Sequence, residues 1–162
     1  MKNTKARFVL LVFAVAIQLV VHGQIQELSA SKTVWITIGQ LKWLANTKAS
    51  LKYASNGKDT VYLMQLQDDT KLKDSRDRVV TKSFGISFKE AGQTLNQLYN
   101  MLQAFFEDAN KRNKNYERSF RLGNDLVLVR HYMFIPTHTI IFVSKDSHII
   151  FSEREIRKLF GR

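Results

Sequence analysis

A stripe of apolar residues near the middle of the chain is the strongest constraint on what it folds into. Ala91, Leu95, Leu98, Leu102, Phe105 and Ala109 recur at spacings of four, three, four, three and four, the pattern of one helical face. Tyr99, Met101 and Phe106 widen the stripe, while Gln93, Asn96, Asn100 and Gln103 fill the other side. A face this broad suits a helix lying across a sheet better than a coiled-coil seam. Ser87 and Glu90 precede it as Ser-x-x-Glu, a capping box that would satisfy backbone N–H groups of the first turn. Lys111, Arg112 and Lys114 follow the last apolar position, where positive charge opposes the negative end of a helix dipole. The sequence therefore predicts one long amphipathic helix over residues 87–110, with no ionisable group on its buried face.

The segments around it read as strands. Val34, Ile36 and Ile38 alternate with Trp35 and Thr37, the period of a half-buried strand. Two further runs, 50–55 and 58–66, flank Asn56-Gly57, the strongest short hairpin signal a sequence offers. Residues 67–78 are highly charged and aperiodic and read as an exposed loop, after which Phe84, Ile86 and Phe88 resume alternation. Beyond the helix, 116–122 and 126–135 flank Gly123-Asn124-Asp125, and 139–143 and 148–151 flank a turn at 144–147. Ser152 and Glu155 repeat the Ser-x-x-Glu cap before Ile156, Leu159 and Phe160, and Gly161 stops a short closing helix. The expected fold is α+β: one antiparallel sheet of about seven to eight strands in hairpins, the long helix across one face and a short C-terminal helix. The second half echoes the first in architecture, although its strands do not align with the earlier ones residue by residue.

The start of the chain bears on location. Lys2, Lys5 and Arg7 precede residues 8–21, apolar except for Gln18, and Val21-His22-Gly23 follows, the layout of a secretory signal peptide. A helix over 8–21 reaches only ~21 Å, short of the ~30 Å hydrocarbon core, so cleavage after Gly23 is expected in place of a stable transmembrane anchor. That gives 1–23 as signal peptide and 24–162 as a single domain, periplasmic or extracellular. The chain has no cysteine, which removes both a lipid-attachment site and the disulfides that many secreted modules carry.

Chemistry is sparsely signalled. His131, His138 and His148 lack the short-range spacing of a zinc site. Asp68, Asp69, Asp74 and Asp77 do not match a calcium loop and alternate with Lys71, Lys73, Arg76 and Arg78. Residues 24–162 hold no nucleophile elbow, and the chain's glycines form no phosphate-cradling loop. No cofactor, metal or catalytic residue is implied, and a hydrolase is the third-ranked reading.

The charge carries more content. The net charge is +11, and removing Lys2, Lys5 and Arg7 leaves it strongly basic. Lys111, Arg112, Lys114, Arg118 and Arg121 surround Tyr116 and Phe120, and Arg154, Arg157, Lys158 and Arg162 form a second group. On an extended strand Arg118 and Phe120 share one face and Arg121 takes the other. Lys111, Arg112, Lys114, Arg118, Phe120 and Arg121 are accordingly the candidate polyanion-binding residues; dipole compensation and solubility are the competing explanation.

The order of four strands then a helix, twice over, is similar to that of the single-stranded nucleic-acid binders of the PUR and Whirly type. The likeness is of element order alone; neither family's motifs occur, and no function or residue is carried over. The first expectation is a small exported non-catalytic module that binds a protein or other component of the envelope. A basic binder of acidic polysaccharide, anionic lipid headgroups or nucleic acid is the alternative, with export arguing against nucleic acid.

Overall fold

Alternation with a period of two, more than the helical stripe, decides the architecture. A computed structural model describes residues 33–44, 46–133 and 137–162; the signal segment expected over 1–23 lies outside the described residues. Val34–Arg162 form one unit. In it β1 (Ile36–Trp43), β2 (Asn46–Ser55), β3 (Thr60–Gln67) and β6 (Ser83–Lys89) make a four-stranded antiparallel sheet in the order β1-β2-β3-β6. A two-stranded ribbon, β4 (Leu72–Lys73) and β5 (Val79–Val80), is inserted between β3 and β6. The second sheet, β7 (Glu117–Leu122), β8 (Asp125–Met133), β9 (His138–Ser144) and β10 (Ser147–Ser152), has the order β10-β9-β8-β7. Helix α1 (Thr94–Gln103) follows the first sheet, then a 3-10 turn (Ala104–Phe106) and the single turn α2 (Asp108–Lys111), and α3 (Glu153–Leu159) follows the second sheet.

This overturns two expectations. Among the described residues the strands divide into sheets of four, two and four instead of one sheet of seven or eight, and no long amphipathic helix forms. Residues 87–89 continue β6: Phe84, Ile86 and Phe88 face inward, and Leu63 is registered with Ser87, Tyr62 with Phe88 and Val61 with Lys89. Strand alternation prevails over helical spacing there because Ile86 and Phe88 are 1% and 3% exposed, a burial the helix would forfeit. Gly92 and Gln93, both at positive φ, then turn the chain, and the Glu90 carboxylate accepts from Thr94 N–H at 2.7 Å. At the far end Glu107 is extended, with ψ 143°, and cuts the helix before α2. Of the stripe, Leu98, Leu102 and Phe105 are buried, whereas Ala91 and Ala109 are exposed.

Turn chemistry behaves as the sequence leads one to expect. Asn56 Oδ1 accepts from the Lys58 and Asp59 N–H groups in the β2–β3 turn, where Gly57 takes φ 87°. Ser152 and Glu155 form a full capping box on α3, with both reciprocal hydrogen bonds present.

One core joins the two sheets and the helices: Leu51, Met64 and Ile86 from the first sheet, Val129, Phe142 and Ile149 from the second, with Leu102, Phe105, Ile156 and Leu159 between. Two glycines let the halves approach backbone to backbone. A Cβ on Gly123 in the β7–β8 turn would lie 2.0 Å from Ser87 O of β6, and one on Gly39 in β1 would lie 2.3 Å from the carbonyls of Lys158 and Leu159. Each half thus supplies a glycine where the other half's backbone arrives.

The edge strand β10 is also covered by the first half. Asp69 N–H donates to His148 O at 2.9 Å, Ile150 N–H donates to Asp69 Oδ2 at 2.7 Å, and Lys48 Nζ donates to Ile150 O at 2.8 Å. These contacts use backbone groups that a bare edge would offer to another chain. The segment expected to be a plain exposed loop therefore begins as part of the joint between the sheets.

Candidate functional site

Two of the concavities among the described residues gather chemistry-bearing side chains from elements distant in the sequence. The first, a cleft of about 480 Å³, lies where β2, the β3–β4 connection and α3 meet and is lined by Lys48, Asp68, Asp69, Thr70 and Glu155, with Trp43 and Val79 at its lip. Its acids are engaged. Asp68, 3% exposed, accepts from Thr70 N–H at 2.9 Å and His148 N–H at 3.3 Å. Burial pushes its carboxyl up, but hydrogen bonds from Thr70, His148 and Ser147 outweigh that and hold it below the usual carboxylate range. Glu155 is likewise pushed up by burial and held down, on balance, by the Ser152 backbone N–H and the Lys48 ammonium, 3.0 Å away. A carboxylate fixed by backbone donors in this way is a structural acceptor, poorly placed to exchange protons with a substrate.

The second concavity, about 260 Å³, is a recess between the end of α2 and the facing ends of β8 and β9. Lys111, Arg112, Lys114, His131, Tyr132, His138 and Thr139 line it, and the set contains no carboxylate. His131 enters from β8, where its ring packs edge-on against Phe105 at 5.4 Å. Its Nε2 lies 3.1 Å from Asn110 O; facing a carbonyl, that nitrogen carries the proton and donates, which fixes the ring's orientation. Thr139 Oγ1 donates to Tyr132 O at 2.6 Å across the β8–β9 pair. With the Thr139 hydroxyl and His131 Nε2 committed to backbone carbonyls, the donors that the lining offers an oxyanion are the Lys111 and Lys114 ammoniums and the Arg112 guanidinium. Helix-dipole compensation does not account for them, because α2 is a single turn of four residues and has little dipole to offset.

The sequence candidates are divided by this arrangement. Lys111, Arg112 and Lys114 come together in the recess. Arg118 lies over the Tyr116 ring at 5.1 Å and donates to its hydroxyl from Nε and Nη2 at 3.3 and 3.2 Å, so it flanks the recess without lining it. Phe120 is half-buried against the core and presents no free ring, while Arg121 is exposed on the opposite face of β7, registered with Leu126. In the C-terminal group Arg157 pairs with Glu153 at 2.8 Å, and Arg162 stacks on Tyr99 at 4.3 Å and donates to Asn96.

Sequence reasoning missed His131, Tyr132, His138 and Thr139 as partners of the basic run, because only the β8–β9 pairing brings them beside it. The histidines do not act together: His131 and His138 share the recess, and His148 belongs to the joint, 3.7 Å from Asp68. Among the described residues no three His, Asp or Glu side chains are grouped to hold a metal ion, and no helix is long and apolar enough to cross a membrane. No protein-family model, curated protein or solved structure matches the chain.

Proposed function

We propose that this chain is an exported, non-catalytic binding module whose recess at Lys111, Arg112, Lys114, His131 and His138 takes the anionic group of a larger envelope component. The observation that supports this reading is the lining itself: five basic side chains and no acid around about 260 Å³. That volume lies just under the range of pockets that enclose whole small molecules. It suits one phosphate, sulfate or carboxylate group, with the rest of its carrier outside. Arg112 would grip two oxygens at once, and the lysines would supply point charge.

The test is the affinity of the full chain for heparin, single-stranded DNA and anionic vesicles across a salt series, comparing wild type with Lys111→Ala/Lys114→Ala and with Arg121→Ala. Binding to one carrier that falls steeply with salt and weakens about tenfold or more in the double variant, but not in Arg121→Ala, supports the reading. Equal weakening in both variants would assign the binding to general surface charge and refute it.

A further inference from the structure

Away from the recess, the exposed apolar side chains of the first half fall into two groups, Val34, Trp35 and Ile36 at the start of β1 and a larger set at its other end. Trp43, 73% exposed, ends β1, and Leu44, 91% exposed, begins the turn to β2. Val79 of the ribbon, 64% exposed, lines the same cleft as Trp43, and Val80, 45% exposed, continues the apolar surface to its cross-strand partner Leu72. Leu44 also sits at φ 53°, a conformation that a branched side chain adopts at a cost. An aliphatic tip held in strained backbone and turned to solvent gains nothing from the core, and with Trp43, Val79 and Val80 it makes an exposed apolar patch.

Charge identifies the partner's chemistry. On the ribbon Asp74 accepts from the Arg78 side chain, with the ion pair at 2.7 Å, and Asp77 pairs with Lys73 at 3.1 Å. Asp69 is hydrogen-bonded to β10. Among the described residues Lys42, Lys71, Arg76 and Lys82, which flank the apolar tip in the chain, form no ion pair with any carboxylate. On the ribbon each carboxylate is thus answered by a cation, while Lys42, Lys71, Arg76 and Lys82 outnumber Asp68 and Asp69, the two nearby carboxylates held by backbone N–H groups.

We infer that the Trp43–Leu44 turn and the β4–β5 ribbon together form a docking tip for an anionic lipid surface, with the apolar side chains entering the headgroup layer and the lysines and Arg76 lying against lipid phosphates. Trp is the residue type that best tolerates that layer, since its ring is apolar and its N–H needs a polar partner. Long basic side chains reach phosphates while their stems stay with apolar neighbours. The tip shares no residue with the recess lining, so the two sites stand or fall separately.

The chain has two tryptophans, so Trp35→Phe leaves Trp43 as the single tryptophan, whose emission is read by excitation beyond the tyrosine band. With vesicles containing phosphatidylglycerol, Trp43 emission is expected to shift to the blue and to be quenched by brominated acyl chains; phosphatidylcholine alone produces neither. Adding Leu44→Glu, at a position too exposed to disturb folding, should abolish both effects, and Leu44→Gly should weaken them without adding charge. Replacing Lys71 or Lys82 by Ala should weaken anionic-vesicle binding about fivefold each. Lys111→Ala/Lys114→Ala should leave the Trp43 response intact, which separates this test from that of the recess. An unmoved Trp43 emission on vesicles to which the chain sediments would overturn the proposal by placing membrane contact elsewhere. So would a blue shift that needs only higher protein concentration, or only a soluble oligosaccharide, since these assign the tip to a second copy or to a sugar.

Discussion

The cleft and the recess, about 480 and 260 Å³, both gather charged side chains, and they differ in how those charges are partnered. Around the cleft, Lys48 meets Glu155, and Asp68 and Asp69 meet backbone N–H groups of the opposite sheet. Around the recess, cations line the wall and, among the described residues, no carboxylate lines it with them. Charge that is satisfied internally holds a fold together, whereas charge gathered without an internal partner is available to something else. By that criterion the cleft is a joint, and the recess is the surface we propose for binding.

Substitution separates the two most sharply at the joint. Asp68→Ala leaves Thr70 and His148 N–H groups without their acceptor in a nearly closed space and should lower stability by about 3 kcal/mol, read as an unfolding midpoint. A loss below about 0.5 kcal/mol would mean that water replaces the carboxylate freely. Acid should act at the same place. Asp68 and Glu155 are both held below the ordinary carboxylate range in the folded state, so the stability they carry is whole above about pH 4 and is lost as pH falls through their folded values. Asp68→Asn keeps an acceptor oxygen and should flatten that acid limb; an unchanged limb would move the titrating group elsewhere.

At the recess the expectation is reversed. Lys111→Ala/Lys114→Ala should leave the unfolding midpoint within about 0.5 kcal/mol of wild type while weakening anion binding. A large loss of stability there would make these lysines structural and erase the contrast. The smallest effect sharpens the same distinction between partnered and unpartnered groups. Ser152→Ala removes a formed cap and should cost about 1 kcal/mol, whereas Ser87→Ala, on the exposed face of β6, should change stability by less than about 0.5 kcal/mol.

Those two serines also mark where the sequence stops being legible. Ser87-x-x-Glu90 and Ser152-x-x-Glu155 are the same signal, yet only the second caps a helix. Phe84, Ile86 and Phe88 run straight into the first, and a pattern that fits both a strand end and a helix start is decided by which packing buries more, a tertiary quantity. Turns were readable because Gly57 and Gly123 take positive φ for local reasons. The division into two sheets was not, since alternation reports which face of a strand is buried and says nothing about its neighbour.

The candidate site was legible by halves for the same reason. Lys111, Arg112 and Lys114 are adjacent in sequence and stay adjacent in space, while His131 and His138 arrive by strand pairing. Alternation alone puts Arg121 on the face of β7 opposite Arg118. The joint had one local signal that went unread: Asp68 two residues before Thr70 is the spacing of an Asx turn, in which the carboxylate turns back on its own chain.

The most direct measurement is an amide NMR titration of the full chain with inorganic phosphate at low salt. Shifts concentrated at Lys111, Arg112, Lys114, His131 and Thr139, and absent in Lys111→Ala/Lys114→Ala, are expected if the unpartnered cations form an anion site. Shifts spread evenly over exposed lysines and arginines, or centred on Arg118 and Arg121, would contradict it and leave the basic charge as a solvated surface.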